Sequence, residues 1–267
     1  MYPQPKKSLG QNFLVEPALL DRIVSACSFG PGDTVLEIGA GKGGLTQRIA
    51  RKAGRVFACE IDHRLLPLLR ETCSPYPRVS VVAGDILGLT FSSLVKKGTR
   101  LRVVGNIPYY LSSPLLERIF VQRVSVRDVF LTVQKEFAAR ITASPGTKVY
   151  GRLSCFVQYY AQAEKLFAIK RGSFFPRPKV DSCFLHLVIR DTFPREVRDE
   201  QGLFRIIRLA FNHRRKVLRN SLTGVVDEEA LERFFSRYKL NPRIRPESLS
   251  VHDFINLSNL QKTFKNP

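Results

Sequence analysis

A run of glycines directly after a short apolar strand constrains this chain more than any other feature. The segment Thr34–Ile38 (TVLEI) is predicted to be a buried β-strand, and residues 39–44 (GAGKGG) follow it. A helical pattern around Leu45 and Ile49 comes next. Glycines in such a turn allow a sharp change of direction and a close approach of the backbone to a ligand. We therefore expect a strand–turn–helix unit with a ligand at the turn.

Strand and helix patterns continue to alternate after this unit. Further strands are predicted at 55–60, 79–83, 101–105 and 128–133, and further helices at 17–27 and 63–72. Strands that alternate with helices at this spacing indicate a parallel sheet covered on both faces. The expected fold class is therefore α/β, with a Rossmann-like domain.

The pattern changes at about residue 191. Helices are predicted at 202–222, 227–238 and 251–264, and strand signals become few. We therefore predict two domains, a Rossmann-like domain of residues 1–190 and a small helical domain of residues 191–267.

Polar or glycine residues stand at or just after the ends of four predicted strands. They are Gly39, Glu60, Asp85 and Asn106. In parallel sheets the ligand lies outside the carboxyl ends of the strands, so these residues should gather at one edge. A carboxylate such as Glu60 can accept hydrogen bonds from both ribose hydroxyls, as required by a nicotinamide cofactor and by S-adenosylmethionine alike.

The tetrapeptide Asn106-Ile107-Pro108-Tyr109 separates these two possibilities. An adenine amino group is a poor nucleophile because its lone pair is delocalised into the ring. The Asn106 side-chain oxygen and the Ile107 carbonyl can accept its two hydrogens, and the Tyr109 ring can stack on the base. Asp85 is placed to bind the adenine amino group of a nucleoside donor. Together these residues favour methylation of an amino group over hydride transfer.

A second aromatic segment lies at 173–182 (SFFPRPKVDS). Two aromatic rings beside a basic, proline-stiffened loop suit a base that is held between stacking faces. We expect Phe174 to be the stacking ring, and we expect Phe175 to be the more suited of the two to a place in the core.

Charge points to a polyanionic partner. The chain has 43 Lys and Arg against 23 Asp and Glu, a formal net charge of +20. Basic side chains that neutralise phosphates release condensed counterions, so nucleic acid is the favoured partner over a membrane surface. In the predicted helix 202–222 a basic stripe with few acidic partners is expected to bind RNA, with more positive charge from other segments. These residues are Arg205, Arg208, Asn212, Arg215 and Arg219, with Lys6, Lys7, Arg177 and Lys179.

No segment is apolar for long enough to predict a membrane span or a signal peptide. The five cysteines are scattered and form no Cys-x-x-Cys pair, so neither a zinc site nor a disulfide framework is predicted. We expect a cytoplasmic protein, and a monomer, because no exposed apolar stripe suggests a dimer interface.

Six sequence blocks together resemble a known family. They are 11–14 (QNFL), 35–41 (VLEIGAG), 84–86 (GDI), 106–109 (NIPY), 174–176 (FFP) with 178–182 (PKVDS), and 211–216 (FNHRRK). In this order they resemble the KsgA family of small-subunit ribosomal RNA adenine dimethyltransferases over nearly the whole chain. Many relatives have Pro where this chain has Ala40, a change that should preserve the turn.

The resemblance implies an enzyme that uses S-adenosylmethionine, and no metal, to methylate two adjacent adenines twice each near the 3′ end of small-subunit (16S) rRNA. Its substrate would be that RNA in the small ribosomal subunit or a precursor. It implies that Asn106, Tyr109 and Phe174 handle the target base. It also implies a donor site formed by Asn12, Leu14, Gly39, Gly41, Glu60, Ile61, Asp85, Ile86 and Asn106.

Three alternatives remain open at this point. A methyltransferase of large-subunit rRNA, such as those that confer macrolide resistance, shares the Asn-x-Pro-Tyr element. A non-catalytic nucleic-acid-binding protein on the same scaffold, such as the related mitochondrial transcription factors, would not require intact donor motifs. A nicotinamide dehydrogenase is supported only by the glycine turn and Glu60.

Overall fold

The structure is a computed structural model that describes residues 3–192, 196–212 and 216–261. The strands are β1 (Phe13–Leu14), β2 (Thr34–Ile38), β3 (Arg55–Glu60), β4 (Val79–Ala83), β5 (Leu101–Asn106), β6 (Val126–Gln134), β7 (Ala161–Ile169), β8 (Phe174–Phe175) and β9 (Ser182–Ile189). The helices are α1 (Pro17–Cys27), α2 (Gly44–Ala50), α3 (Leu66–Cys73), α4 (Ser112–Val121), α5 (Lys135–Ile141), α6 (Arg152–Tyr160), α7 (Glu200–Asn212), α8 (Leu218–Leu222), α9 (Glu228–Arg237) and α10 (Val251–Leu260). Within those three ranges, every helix is too short or too polar to cross a bilayer.

One central sheet has the strand order β4-β3-β2-β5-β6-β9-β7. The first five of these strands run parallel, and β9 pairs antiparallel with β6. The central strand β2 is covered on both faces, and four of its five residues are buried. Such continuous apolar runs are typical of parallel strands. The predicted α/β class is confirmed, whereas β1, β7, β8 and β9 were not predicted.

Helix α1 forms as its sequence pattern predicts. Pro17 occupies the first turn, where its missing N–H costs nothing, and Ser28 ends the helix in the left-handed conformation with φ of 49°. The apolar residues at helical spacing are buried, including Ile23 and Cys27 at 1% exposure. They pack with Val35 of β2 in one core cluster. This packing holds the start of the chain beside the sheet.

The parallel strands all end at one edge of the sheet. Ile38, the last residue of β2, pairs with Cys59 of β3 and with Gly105 of β5. The residues that follow these strands therefore lie side by side, as predicted from the sequence. The site described below is built on this edge.

A buried charged network fixes the opposite edge, where the strands begin. Arg102 of β5 is 6% exposed, and its Nε and Nη2 donate to Asp128 of β6 over 2.9 and 2.7 Å. Its Nη1 donates to the Asp33 carboxylate over 3.1 Å and to the Ser28 carbonyl over 3.2 Å. The amino ends of β2, β5 and β6 are thereby tied together through one guanidinium group.

The described residues divide into two compact units. One contains residues up to 138 together with 163–189, and the other contains residues 139–162 together with those from 190 onward. Residues 139–162, which the sequence prediction assigned to the first domain, belong to the second unit together with those from 190 onward. The reason is aromatic packing within the second unit, since the Phe204 ring of α7 contacts three rings of α6. These are Phe156, Tyr159 and Tyr160.

The prediction of one continuous helix over 202–222 is wrong. Helix α7 ends at Asn212, and Val217 is extended, with φ of −63° and ψ of 151°, before α8 begins at Leu218. Arg219 therefore does not continue the basic stripe of α7. Its guanidinium group pairs with Glu228 and Glu232, contrary to the expectation of few acidic partners. Arg215 lies outside the described residues.

Candidate active site

The glycine turn after β2 borders a cleft, which Gly39 lines. Gly41 has φ of 58°, and a Cβ at this position would lie 3.1 Å from the Phe13 ring. Only glycine satisfies both conditions without strain. The Gly41 N–H donates to the Glu60 carboxylate over 2.7 Å, so the turn is fixed by the residue at the end of the next strand.

The cleft holds about 860 Å³ of free space, including open solvent at its mouth. Seven of the predicted donor-site residues line it: Asn12, Gly39, Glu60, Ile61, Asp85, Ile86 and Asn106. Leu14, Gly41, Tyr109 and Phe174 do not line it. The structure thus brings together residues that are almost a hundred positions apart in the chain.

Several lining residues were not predicted. Leu9, Gln11 and Phe13 line the cleft from the start of the chain, and Tyr110 and Leu111 line it after the Asn-Ile-Pro-Tyr segment. The block 11–14 includes Gln11 and Phe13 only through family resemblance, and Leu9 lies outside it. Tyr110 is 63% exposed. The sequence does not indicate this exposure, because an aromatic residue next to Tyr109 could equally be part of the core.

Glu60 is 4% exposed, and both of its carboxylate oxygens accept backbone hydrogen bonds. Oε2 accepts from Gly41 and Oε1 accepts from the N–H of Asp62 over 2.8 Å. Burial raises the pKa of Glu60, and the backbone donors partly oppose that rise. The N–H of Ile61 is a third backbone donor to this carboxylate. A carboxylate has about four lone-pair sites, so Glu60 can still accept from a ligand hydroxyl.

Asp85 and Ile61 occupy two walls of the cleft. The Asp85 side chain accepts from the N–H of Leu87 over 2.9 Å and remains exposed. Ile61 presents an apolar surface that is 45% exposed, and Ile86 is buried. A flat aromatic ligand with a polar edge would find an apolar wall and an acceptor at this position.

The Asn106 side chain has a defined orientation. Its Nδ2 donates to the main-chain carbonyl of Asn12 over 2.7 Å. A carbonyl can only accept, so the NH₂ group must face Asn12 and Oδ1 is the atom that remains for a ligand. Asn106 therefore presents an acceptor, as the sequence analysis expects of it.

Tyr109 is half-buried, and its phenol oxygen lies 2.7 Å from the Ser182 hydroxyl. Burial raises the pKa of Tyr109, while the bond to Ser182 opposes that shift. The ring is thereby fixed to the last residue of the second aromatic segment, 173–182.

The structure reverses the expected burial of Phe174 and Phe175. Phe174 is 4% exposed and belongs to the core cluster, whereas Phe175 is 57% exposed. The two residues form β8 and pair antiparallel with Leu14 and Phe13 of β1. Successive side chains on a strand point to opposite faces, so only one of them can be buried. The ring accessible in this structure is that of Phe175.

Within the three described ranges, no three His, Cys, Asp or Glu side chains cluster closely enough to hold a metal ion. The fold and the cleft at the carboxyl edge of its sheet define an S-adenosylmethionine-dependent methyltransferase. The sequence profile of the ribosomal RNA adenine dimethylase family matches residues 3–263, and the chain belongs to that family.

The relatives support this placement. The chain is 40% identical over 263 residues to Ribosomal RNA small subunit methyltransferase A of Bacillus mycoides (strain KBAB4), covering 95% of this chain and 90% of the relative. Identity and coverage are the same for the protein of that name from Bacillus cereus (strain AH187).

Two solved structures share the fold, each with a TM-score of 0.76. The 23S rRNA methyltransferase ErmE is 25% identical, and the match covers 94% of this chain and 100% of ErmE. A dimethyladenosine transferase from Plasmodium falciparum is 27% identical, and the match covers 92% of this chain and 95% of that one. The predicted family resemblance is confirmed, and a nicotinamide dehydrogenase is excluded.

Proposed function

We propose that the chain transfers methyl groups from S-adenosylmethionine to N6 of two adjacent adenines near the 3′ end of small-subunit (16S) rRNA. The products would be N6,N6-dimethyladenosines, formed during ribosome biogenesis. The names of the relatives at 40% identity support the small subunit as the target. The observation that carries the proposed chemistry is the orientation of Asn106, whose NH₂ group is engaged by Asn12.

The residues of the cleft fit the donor. Glu60 would accept from the ribose, and Gly39 leaves the backbone open to a close approach. Ile61 and Ile86 would enclose the adenine ring, whose amino group would donate to Asp85. In this proposal the donor pocket also depends on three residues at its border: Asn12, Leu14 and Gly41. When bound, the donor supplies a methyl group on a sulfonium.

Asn106 would accept one hydrogen of the adenine amino group through Oδ1. The Ile107 carbonyl would accept the other, which favours a pyramidal nitrogen with an available lone pair. Methyl transfer is a direct displacement, so holding the amino nitrogen in line can contribute most of the acceleration. The N–CH₃ bond would form as the S–CH₃ bond breaks, which leaves S-adenosylhomocysteine and a positively charged methylated nitrogen. That nitrogen is acidic enough to release its proton to water, so no strong base is required.

The target base would stack on Tyr109, with an aromatic ring of the 174–175 pair on its other side. Phe175 is the ring that this structure exposes, and Phe174 could serve only after β8 moved away from the core. Base–aromatic stacking contributes about 1–3 kcal/mol per base, enough to offset part of the cost of unstacking the base.

Basic side chains of each unit would bind the phosphate backbone. In the unit that carries the sheet, Lys6, Lys7, Arg177 and Lys179 are exposed. In the second unit, Arg208 and Asn212 of α7 are exposed and Arg205 is partly so. We propose that the helical unit is an RNA-binding element on this basis.

The decisive experiment is methyl transfer from labelled S-adenosylmethionine into undermethylated small ribosomal subunits, with large subunits in parallel. We expect label as dimethyladenosine in the small-subunit RNA alone, and none with Asn106→Ala. Asn220→Ala, an exposed position in α8, is the matched control and should keep full activity. Labelling of large subunits would favour the target of ErmE, and donor binding without labelling of either subunit would favour a binding protein.

The proposal extends to a cytoplasmic monomer that acts on the small subunit or its precursor. All five cysteines are free thiols, as in proteins of reducing compartments. Sedimentation of the purified chain at several concentrations tests the monomer, and a mass that rises with concentration would contradict it.

A further inference from the structure

The start of the chain forms one wall of the cleft, yet few bonds hold it there. Gln11, Asn12 and Phe13 line the cleft. Among the described residues, only two hydrogen bonds join residues 3–12 to the rest of the protein. One is the bond from Asn106 to the Asn12 carbonyl. The other runs from the Gln11 side chain to Asp62, and nothing in the proposed chemistry accounts for it.

We propose that Gln11 and Asp62 are positioning residues, forming a latch that holds residues 6–12 against the donor cleft and places the Asn12 carbonyl for Asn106. Gln11 Nε2 donates to Asp62 Oδ2 over 2.9 Å, and Gln11 Oε1 accepts from the N–H of Lys6 over 2.7 Å. Both ends of the Gln11 amide are therefore engaged in one orientation. The latch closes residues 6–11 into a loop and fixes that loop to the protein.

The Asp62 carboxylate is held in one orientation, in which it can accept a hydrogen bond from Gln11. The side chain is 4% exposed. Arg64 donates hydrogen bonds to both carboxylate oxygens, from Nε to Oδ1 over 2.9 Å and from Nη2 to Oδ2 over 2.6 Å. The N–H of Asp62 donates to Glu60 Oε1. A chain of hydrogen bonds thus runs from the glycine turn through Glu60 and Asp62 to Gln11. Because Arg64 also holds the pKa of Asp62 well below its usual range, the acceptor stays charged at any working pH.

The latch accounts for the order of an otherwise loosely attached segment. Phe13 and Leu14 are held by β8, but that pairing begins only after Asn12. Without Gln11, the segment before Phe13 would keep a single hydrogen bond to the protein, the one made by Asn106. The donor would then have to order its own wall as it binds, which lowers affinity.

The inference rests on the proposed donor, so its test has one arm with ligand and one without. The probe is S-adenosylhomocysteine, and its dissociation constant is measured by calorimetry for the wild type and for Gln11→Ala. We expect affinity to fall by about tenfold, since a hydrogen bond to a charged group is lost, while the variant stays folded at the assay temperature. Gln4→Ala, an exposed glutamine of the same segment, is the matched control and should leave affinity unchanged.

The arm without ligand measures amide hydrogen exchange of residues 6–14, which should be faster in Gln11→Ala than in the wild type. Gln11→Glu places a second carboxylate against Asp62, so it should weaken binding further at neutral pH and recover as the introduced carboxyl is protonated. Unchanged affinity and unchanged exchange in Gln11→Ala would overturn the latch. A wild type that does not bind the probe would instead contradict the proposed donor, and the exchange comparison would still decide the latch.

Discussion

The phenol oxygen of Tyr109 and the hydroxyl of Ser182 lie 2.7 Å apart and join the two segments that the sequence links to the target base. Tyr109 ends the Asn-Ile-Pro-Tyr segment, and Ser182 begins β9, where it is fully buried. A buried hydroxyl without a partner is costly, so this pair fixes the position of the aromatic ring. The ring is therefore set before any substrate arrives.

This pair predicts different effects for two Tyr109 variants. Tyr109→Phe keeps the ring and loses the bond, so kcat should fall only several-fold, and Ser182→Ala should behave similarly. Tyr109→Ala loses the stacking face, worth about 1–3 kcal/mol, and should lower kcat/KM for RNA by roughly 10- to 100-fold. Steady-state kinetics with small-subunit RNA measure both effects. Equal losses in Tyr109→Phe and Tyr109→Ala would show that the hydroxyl, not the ring, is what matters.

Substitution of Phe174 is predicted to reduce stability, whereas substitution of Phe175 is predicted to reduce activity. Phe174→Ala removes a core side chain and should lower the free energy of unfolding by about 3–5 kcal/mol. Phe175→Ala should leave stability nearly unchanged and reduce activity on RNA. Denaturant unfolding and methyl transfer, measured on both variants, separate the two roles. A stable Phe174→Ala variant without activity would restore Phe174 as the stacking residue.

Features that depend on residues close together in the sequence could be predicted, and features that depend on distant residues could not. Glycine spacing and strand ends are local signals, so Gly39, Glu60 and Asn106 could be placed at one edge from the sequence. The burial of Phe174 depends on pairing with β1, some 160 residues earlier in the chain. The break between α7 and α8 likewise has no glycine or proline to announce it. Interactions of this kind are decided by tertiary contacts and leave no local pattern.

Glu37 predicts a pH dependence of stability. It is 2% exposed in the middle of β2, and burial raises its pKa from 4.5 to about 8. The folded protein keeps the proton while the unfolded chain loses it, so this group destabilises the fold as pH rises from 4.5 to about 8. Glu37→Gln, which has no proton to lose, should become more stable relative to the wild type across that window, by at most about 1.4 kcal/mol per pH unit. Thermal unfolding at several pH values gives the difference; one that is constant with pH would mean that Glu37 is charged when folded.

Arg102 should be far more important for stability than its neighbour Arg127. Arg102→Ala would leave Asp33 and Asp128 without their buried partner, a loss of about 3–5 kcal/mol. Arg127 contacts the same two carboxylates, but its side chain is 45% exposed, so Arg127→Ala should cost under about 1 kcal/mol. Urea unfolding of both variants measures these costs. If both variants lost the same free energy of unfolding, the two arginines would contribute equally to stability, and burial of the Arg102 guanidinium would not matter.

Arg208 and Arg219 should differ in RNA binding and in stability. Arg208 is exposed on α7, so Arg208→Glu should weaken RNA binding, reduce the dependence of affinity on salt by a slope of ~1, and leave Tm unchanged. Arg219→Glu would repel Glu228 and Glu232 and should lower Tm. Fluorescence anisotropy over a salt series, together with thermal unfolding, tests both. If only Arg208→Glu lowered Tm, then Arg208, and not Arg219, would be the residue that stabilises the fold.

The burial of the cysteines has a practical consequence. Cys27, Cys59, Cys73, Cys155 and Cys183 are all buried thiols, and burial raises the pKa of each. Maleimides and iodoacetamides react with exposed thiolates, so the native side chains should remain unmodified under mild conditions. A single cysteine placed at an exposed position such as Val124 would then carry a fluorophore or spin label at one defined point. A pair of such cysteines would make distances within the working protein measurable without first removing any native residue.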